Sequence, residues 1–231
     1  MPISRLVIAT HNRKKGGEMA TILQARFPSL ELLTLADFPG APEPEETGTT
    51  YEENAAIKSE SAFEFTGEWC VADDAGLEID ALDGAPGVYS KRFGGEDLPF
   101  PEKMARILSL LRDVPEERRG AGFRCYVALT GPGNTPPQNP KSNELAATTP
   151  DRRPLAVHRN PGTRVFHATC EGRIATELSG SGGFGYDPIF YLPELGCTMA
   201  DLTAEQKHAI SHRGKVLRSL GDYLEASPES F

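Results

Sequence analysis

Cysteine is scarce in this sequence, and no two cysteines are spaced for a shared site. Four occur in 231 residues, and none belongs to a C-x-x-C pair. A zinc site of paired cysteines and a dithiol redox centre are therefore excluded. We predict that all four thiols are reduced: Cys70, Cys125, Cys170 and Cys197.

Long apolar runs are also missing. No stretch approaches the ~18 residues that a membrane-spanning helix requires. The first residues lack the basic and apolar blocks of a secretory signal peptide. The sequence therefore predicts a cytoplasmic protein that does not contact a membrane.

Basic residues are outnumbered by acidic ones. The chain has 24 lysines and arginines against 33 aspartates and glutamates, a formal net charge of −9. Broad contact with nucleic acid needs a basic surface, so no nucleic-acid partner is expected. A polyanionic substrate must instead be bound locally, by a few lysines, by backbone amides or by a divalent cation. The length fits one large domain or two lobes that share a cleft.

The first segment predicts a phosphate-binding loop. Residues 5–9 (RLVIA) read as a buried strand, and the helical spacing of Met19, Ile22 and Leu23 leaves residues 10–17 as the connecting loop. A hydroxyl, an amide and cations before a helix can bind phosphate oxygens. The candidates are Thr10, His11, Asn12, Arg13, Lys14 and Lys15. The G-x-x-x-x-G-K-[ST] spacing of a Walker loop is absent, and the alternative to a phosphate-binding loop is a solvated basic turn.

A capping box predicts the next helix. Thr50 is the expected N-cap, Glu53 lies three residues on, and Gly67 supplies the stop. Within this helix Asn54 and Lys58 are one turn apart and share a face. A lysine in a helix is by default a surface residue whose amine reaches solvent, so the shared face favours a functional role only modestly.

An acidic loop precedes that helix. Residues 38–48 are rich in proline and glutamate and cannot form a regular element. Glu45 and Glu46 are candidate ligands for Mg²⁺, which commonly takes one or two protein carboxylates. Glu53 is fully explained by its capping role.

Two adjacent carboxylates follow the next strand. Residues 69–72 (WCVA) predict a strand that places Asp73 and Asp74 at its carboxyl end, where ligands bind in α/β sheets. Side chains alternate along an extended segment, so one of the two is expected to face the cleft. An acidic turn is the alternative.

The rest of the chain predicts further strands and helices. Strands are expected over residues 30–35, 123–130, 164–170 and 188–191, and helices over residues 100–111 and from Ser211 onward. A second capping box begins at Thr203. Residues 131–162 lack periodicity and read as a surface insertion.

Aromatic and basic residues near the carboxyl terminus could bind a base. Phe184 lies among glycines, which lets a flat base approach the ring and the backbone. His212 and Arg213, in the first turn of the last helix, could donate hydrogen bonds to carbonyl oxygens of a base. A tight turn and an exposed helix start are the ordinary alternatives.

Together these segments closely resemble the Ham1-type inosine/xanthosine triphosphate pyrophosphatase family. They occur in family order and cover nearly the whole chain. The matching segments are residues 9–12 with Lys15, 47–55 with Lys58, 72–78, 84–90, 182–190 and 210–215.

The resemblance implies a fold, an assembly and a reaction. The fold is α/β, an elongated mixed sheet flanked by helices, with residues 1–231 forming one domain of two lobes and a nucleotide cleft between them. The chain would be a homodimer that hydrolyses deaminated purine nucleoside triphosphates (ITP, dITP, XTP) to the monophosphate and pyrophosphate with Mg²⁺.

The resemblance also implies roles for the candidate residues. Asp74 would be a metal ligand and the general base, with Glu45 preferred over Glu46 as the second ligand. Residues 10–15 and Lys58 would bind the triphosphate, with Lys15 and Lys58 catalytic. The base and neighbouring phosphates would be surrounded by Phe184, Gly185, Tyr186, Asp187, Lys207, His212 and Arg213.

Two positions depart from the family pattern. His11 stands where the family usually has glycine, and Ala75 stands where it usually has serine. A close backbone approach to phosphate and one hydroxyl contact are therefore in question. Two rival functions stay open: a Maf-like pyrophosphatase of pyrimidine or modified triphosphates, and a nucleotide sensor without turnover.

Overall fold

A seven-stranded mixed sheet forms the centre of the molecule. The computed structural model describes residues 3–132, 160 and 162–226. The strands are β1 (Arg5–Ile8), β2 (Glu31–Thr34), β3 (Cys70–Ile79), β4 (Gly120–Thr130), β5 (Thr163–Ile174), β6 (Phe190–Leu192) and β7 (Cys197–Thr198). Their order is β2-β1-β3-β4-β5-β6-β7. β1 pairs in parallel with β2 and β3, and the pairs from β3 to β7 are antiparallel.

Five α-helices pack against this sheet in the described residues. They are α1 (Arg13–Arg26), α2 (Tyr51–Thr66), α3 (Phe100–Leu110), α4 (Ala204–Ile210) and α5 (His212–Ala226). The predicted α/β class with a mixed sheet flanked by helices is confirmed, whereas the division into two lobes stays a prediction.

The helices cover both faces of the sheet. The main core joins α1 and α5 to one face, where Met19 and Leu220 meet Val71 and Val127. A separate cluster, which includes Ala62 of α2 and Cys70 and Ala72 of β3, forms the opposite face. Because alternate residues of β3 belong to these two clusters, residues 71 and 73 face α1 and α5, and residues 72 and 74 face α2.

The predicted capping boxes are both present. The Thr50 hydroxyl accepts from Glu53 N, and Gly67 ends α2 in the left-handed region at φ +70°. The Thr203 hydroxyl accepts from Gln206 N at the start of α4. The four cysteines are free thiols, as predicted.

Three predicted boundaries are wrong. α1 begins at Arg13, because the Asn12 side chain caps it, so Arg13–Gly17 are helical and do not belong to a loop. β3 continues to Ile79, so Asp73 and Asp74 lie within a strand instead of beyond its end. The strand predicted over residues 188–191 begins only at Phe190, after a 3₁₀ turn at Asp187–Ile189.

The predicted insertion at residues 131–162 lies almost wholly outside the described residues. Within the part of the chain that the structure describes, no helix is long and apolar enough to cross a bilayer.

Candidate active site

A single cleft brings together most of the candidate residues. Its empty volume is about 1370 Å³, part of it open to solvent. The candidates that line it are Thr10, His11, Asn12, Lys15, Glu46, Lys58, Asp74, Ala75, Phe184, Gly185, Tyr186, Asp187, Lys207, His212 and Arg213. Three candidates do not line it: Arg13, Lys14 and Glu45. All three are exposed side chains.

Asp73 and Asp74 both line the cleft, from opposite faces of β3. The expectation that only one would face the cleft is therefore wrong. Asp73 is 2% exposed and is paired with Arg213 at 2.8 Å and with Lys15 at 3.4 Å. Burial raises the pKa of Asp73, but Lys15 and Arg213 outweigh burial and hold this pKa far below its usual range.

Asp74 has a different electrostatic environment. Lys58 Nζ donates to Asp74 Oδ1 at 2.9 Å, and Asn54 Nδ2 donates to Asp74 Oδ2 at 3.4 Å. Burial raises the pKa of Asp74 by more than Lys58 and Lys15 lower it. Asn54 and Lys58, which share one face of α2, thus both donate to the Asp74 carboxylate. The default reading of Lys58 as a solvated surface lysine is wrong, because its side chain is only 15% exposed.

The acidic loop places Glu46 in the lining of the cleft, whereas Glu45 is exposed and does not line it. Lys58 Nζ donates to Glu46 Oε1 at 3.2 Å, so one ammonium group lies between the carboxylates of Glu46 and Asp74. Burial raises the pKa of Glu46, but Lys58, Lys15 and Lys91 outweigh it and the net shift is downward. The preference for Glu45 is therefore not supported by the geometry.

The start of α1 fixes the position of Lys15. Asn12 Oδ1 accepts from the backbone N of Lys14 and of Lys15, both at 3.1 Å, and Thr10 Oγ1 accepts from Asn12 N. Because consecutive residues of a helix point about 100° apart, Lys15 reaches the cleft while Lys14 faces solvent. This turn is the N-terminus of a 14-residue helix, where backbone amides favour anions.

A chain of ion pairs links the phosphate candidates to the base candidates. Lys207 Nζ lies 2.7 Å from Asp187 Oδ2 and 2.7 Å from Glu18 Oε1. Glu18 Oε2 then pairs with Arg213 at 2.8 Å, and Arg213 pairs with Asp73. Sequence reasoning missed Glu18. The available signal was its position one turn after Lys15 on α1, since residues three apart in a helix share a face.

Phe184 lies beside two of these cations. Its ring centroid is 4.4 Å from Lys207 Nζ and 5.6 Å from the Arg213 guanidinium carbon. Phe184 N donates to Asp187 Oδ2, which fixes the tight glycine-rich turn. An electron-rich ring with cations nearby suits a heteroaromatic base that carries keto groups.

His212 is buried and stacks on Phe123, with ring centroids 4.7 Å apart. Its Nδ1 has no hydrogen-bond partner among the residues that the structure describes. Burial, together with Arg213 and Lys207, holds the pKa of His212 well below its usual value, so the ring is neutral near pH 7.

Further lining residues were not among the candidates. They include Glu43, Ser90, Lys91, Phe100 and Phe123. The side chains of Lys91 and Glu43 are largely exposed, and Lys91 Nζ lies 3.9 Å from Glu43 Oε1. Ser90 lies in the matching segment 84–90, and Phe100 and Phe123 lie in a predicted helix and a predicted strand, but no local pattern places these side chains in the cleft.

The chain is similar to a set of curated pyrophosphatases. A model described as the Ham1 family matches residues 6–223. A dITP/XTP pyrophosphatase from Desulforamulus reducens is 42% identical over 220 residues, covering 95% of each chain. Another, from Geobacter sulfurreducens, is 44% identical over 223 residues, covering 96% of this chain and 97% of the relative.

Solved structures have the same fold. A HAM1 protein from Coxiella burnetii superposes with a TM-score of 0.77 at 35% identity, covering 98% of this chain and 100% of that protein. The Ham1 protein of Staphylococcus aureus superposes with a TM-score of 0.74 at 36% identity, covering 96% of this chain and 98% of that protein.

Proposed function

This chain belongs to the Ham1 family, and we propose from that membership and from the cleft the reaction it catalyses. It is a nucleoside-triphosphate pyrophosphatase that hydrolyses deaminated purine nucleoside triphosphates (dITP, XTP and ITP) to the monophosphate and pyrophosphate. This proposal is supported by its relatives, which are named dITP/XTP pyrophosphatases and are about 40% identical over nearly the full chain. The reaction removes deaminated purines from the nucleotide pool.

One observation carries the catalytic proposal. Asp74 from β3, Lys58 from α2 and Lys15 from α1 line one cleft, with Glu46 beside them. Two ammonium groups, together with a divalent cation, can offset the charge of a triphosphate locally although the whole chain is acidic. Phosphoryl transfer requires mainly positioning and charge neutralisation, which this arrangement offers.

The residues present fit a magnesium ion. The Lys58 ammonium already lies between Asp74 and Glu46, so the two carboxylates form a position for positive charge. Among the described residues, no group of three His, Cys, Asp or Glu side chains is arranged to hold a metal. Two carboxylates suit Mg²⁺, which takes its other ligands from water and substrate phosphates. Asp74 and Glu46 would hold it, and when bound it supplies neutralisation of phosphate charge.

In the proposed step, Asp74 acts as the base. A water molecule attacks the α-phosphorus in line, and its proton passes to the Asp74 carboxylate. The bond from the α-phosphorus to the bridging oxygen breaks, and pyrophosphate leaves with the electron pair. Lys15 and Lys58 hold the phosphate oxygens and offset the negative charge throughout.

The base would bind at the other end of the cleft. Phe184 offers a ring for stacking, and Lys207, His212 and Arg213 offer nitrogen donors. A keto oxygen at position 6 of the purine can accept from such donors. The amino group of adenine would leave a donor unpaired, which disfavours ATP and dATP.

The remaining proposals concern context. We place the enzyme in the cytoplasm, as a homodimer. Each chain would form one domain whose two lobes enclose the cleft. No nucleic-acid or membrane partner is proposed, because the chain is acidic overall.

A substrate panel tests this function. Pyrophosphate release is measured for dITP, XTP, ITP, dGTP, dATP and a pyrimidine triphosphate, each with and without Mg²⁺. The proposal expects turnover of the deaminated purines at least about 10²-fold above dATP, as for a site that reads a hydrogen-bonding group, and loss of turnover without the metal. Preferred cleavage of the pyrimidine would favour a Maf-like activity, and tight dITP binding without cleavage would favour a sensor.

A further inference from the structure

Asn54 uses both ends of its side-chain amide on two different segments. It is 1% exposed in α2. Its Oδ1 accepts from Gly48 N at 2.9 Å, and its Nδ2 donates to Asp74 Oδ2 at 3.4 Å. The backbone N–H can only donate and the carboxylate accepts, so the two partners fix the orientation of the amide.

These two contacts join the loop that carries Glu46 to the strand that carries Asp74. Gly48 comes two residues after Glu46, at the end of the irregular acidic loop. A Cβ atom at Gly48 would lie 2.5 Å from Asn54 Oδ1, so only glycine allows this approach. The exit of the loop is therefore held against α2 by one buried side chain.

Asp74 is also held at both of its oxygens. Lys58 donates to Oδ1 and Asn54 donates to Oδ2, so the carboxylate plane has a donor on each side. Lys58 alone would leave the carboxylate free to rotate about χ2. Asn54 supplies the second restraint from one turn earlier on the same helix.

We infer that Asn54 is a positioning residue, which orients the Asp74 carboxylate and fixes its distance from the Glu46 loop. The inference rests on the proposed role of Asp74 as the base. Asn54 does not touch the reacting atoms; it acts through Asp74 and through Gly48. Its loss should therefore lower kcat while nucleotide binding by Lys15 and Phe184 persists.

Two substitutions separate the two contacts. Asn54→Ala removes both. Asn54→Asp keeps an acceptor for Gly48 N but places a carboxylate oxygen against Asp74 Oδ2, where the donor was. The matched control is Ser59→Ala, on the same helix: Ser59 is fully buried and bonds to Thr130 and to the Ala56 carbonyl, away from the cleft.

The experiment measures kcat and KM for dITP with Mg²⁺, and hydrogen exchange at the Gly48 amide. We expect kcat to fall about 10²-fold in both Asn54 variants, as for a misplaced catalytic group, with KM within about threefold of wild type. Exchange at Gly48 should accelerate in Asn54→Ala and stay slow in Asn54→Asp. Ser59→Ala should keep kcat within about twofold, since its lost hydrogen bond affects only stability.

Wild-type kcat in Asn54→Asp, or an equal loss in Ser59→Ala, would overturn the inference. A wild-type protein that releases no pyrophosphate from dITP or XTP would instead overturn the proposed function.

Discussion

At the residue scale, adjacent side chains in one strand have opposite electrostatic environments. Asp73 faces Arg213 and Lys15, and its pKa is held low although burial raises it. Asp74 faces α2, and burial leaves its pKa raised. We therefore assign Asp73 to the charge balance of the fold and propose Asp74 as the carboxylate that takes part in the chemistry.

This difference predicts unequal effects of two matched substitutions on stability. Asp73→Asn leaves the buried guanidinium of Arg213 without a full counter-charge, and should lower the free energy of unfolding by about 3 kcal/mol or more. Burial already disfavours the charged form of Asp74, and Lys58 stays paired with Glu46 in Asp74→Asn, so this substitution should lower the free energy of unfolding by less than Asp73→Asn does. The urea unfolding midpoints of the two variants measure both changes, provided that the slope of the unfolding free energy against urea concentration is unchanged. Equal midpoints for the two variants would contradict this assignment.

His212 gives a second residue-scale prediction, for pH. Its pKa is well below 6.5 in the folded protein because of burial, Arg213 and Lys207. The unfolded chain therefore binds a proton first as the pH falls. The neutral ring contributes fully to the free energy of unfolding above about pH 6.5. This contribution is lost as the pH drops toward the pKa of the folded state, by up to about 1.4 kcal/mol per pH unit.

Replacing this ring with a side chain that does not titrate should remove that slope. Unfolding free energies of wild type and His212→Gln are compared at pH 7.5 and at pH 5.5. The difference between the two proteins should shrink at the lower pH. A difference that is constant across the range would show that His212 is not held neutral.

At the element scale, local signals predicted the helices that carry caps. Thr50 and Thr203 were identified from capping boxes, and both boxes are present in the structure. The start of α1 was misplaced because the apolar spacing that predicts this helix begins only at Met19, after Gly16 and Gly17, two residues that disfavour a helix interior. Their cost is offset by the Asn12 cap and by the packing of Met19 and Leu23 in the main core.

Gly17 should accept a larger residue with a gain in stability. It lies inside α1, and an added Cβ would meet no atom within 4 Å. Gly17→Ala should therefore raise the free energy of unfolding by about 0.5–1 kcal/mol, through helix propensity and a less flexible unfolded chain. Thermal or urea unfolding measures the gain.

Gly16→Ala is the matched control one residue earlier. Its Cβ would lie 3.3 Å from Thr10 Cγ2, so part of the same gain should be lost to crowding. An equal or larger gain at Gly16 would mean that the first turn of α1 is looser than described.

At the scale of the whole molecule, the sequence predicted the family and the α/β class, but long-range pairs escaped it. Family membership is confirmed by the match over residues 6–223. Glu18 was missed because its partners Lys207 and Arg213 lie about 190 residues away along the chain. The length of β3 was missed because two carboxylates inside a strand are tolerable only when cations from three helices surround them.

Elements distant in sequence converge on one cleft. Asp74, Lys58 and Lys15 come from β3, α2 and α1, and no local pattern could specify their separation. His11 and Ala75, the two departures from the family pattern, line the same cleft without removing the acid or the lysines. The account therefore depends on Asp74 acting as the base among these charges.

The most direct test is the turnover of Asp74→Asn together with its affinity for nucleotide. The substitution keeps the size of the side chain and removes the proton acceptor. We expect kcat for dITP to fall by about 10³-fold, as for the loss of a general base, while the dissociation constant for dITP stays within about threefold of wild type. Wild-type turnover in this variant would contradict the central claim.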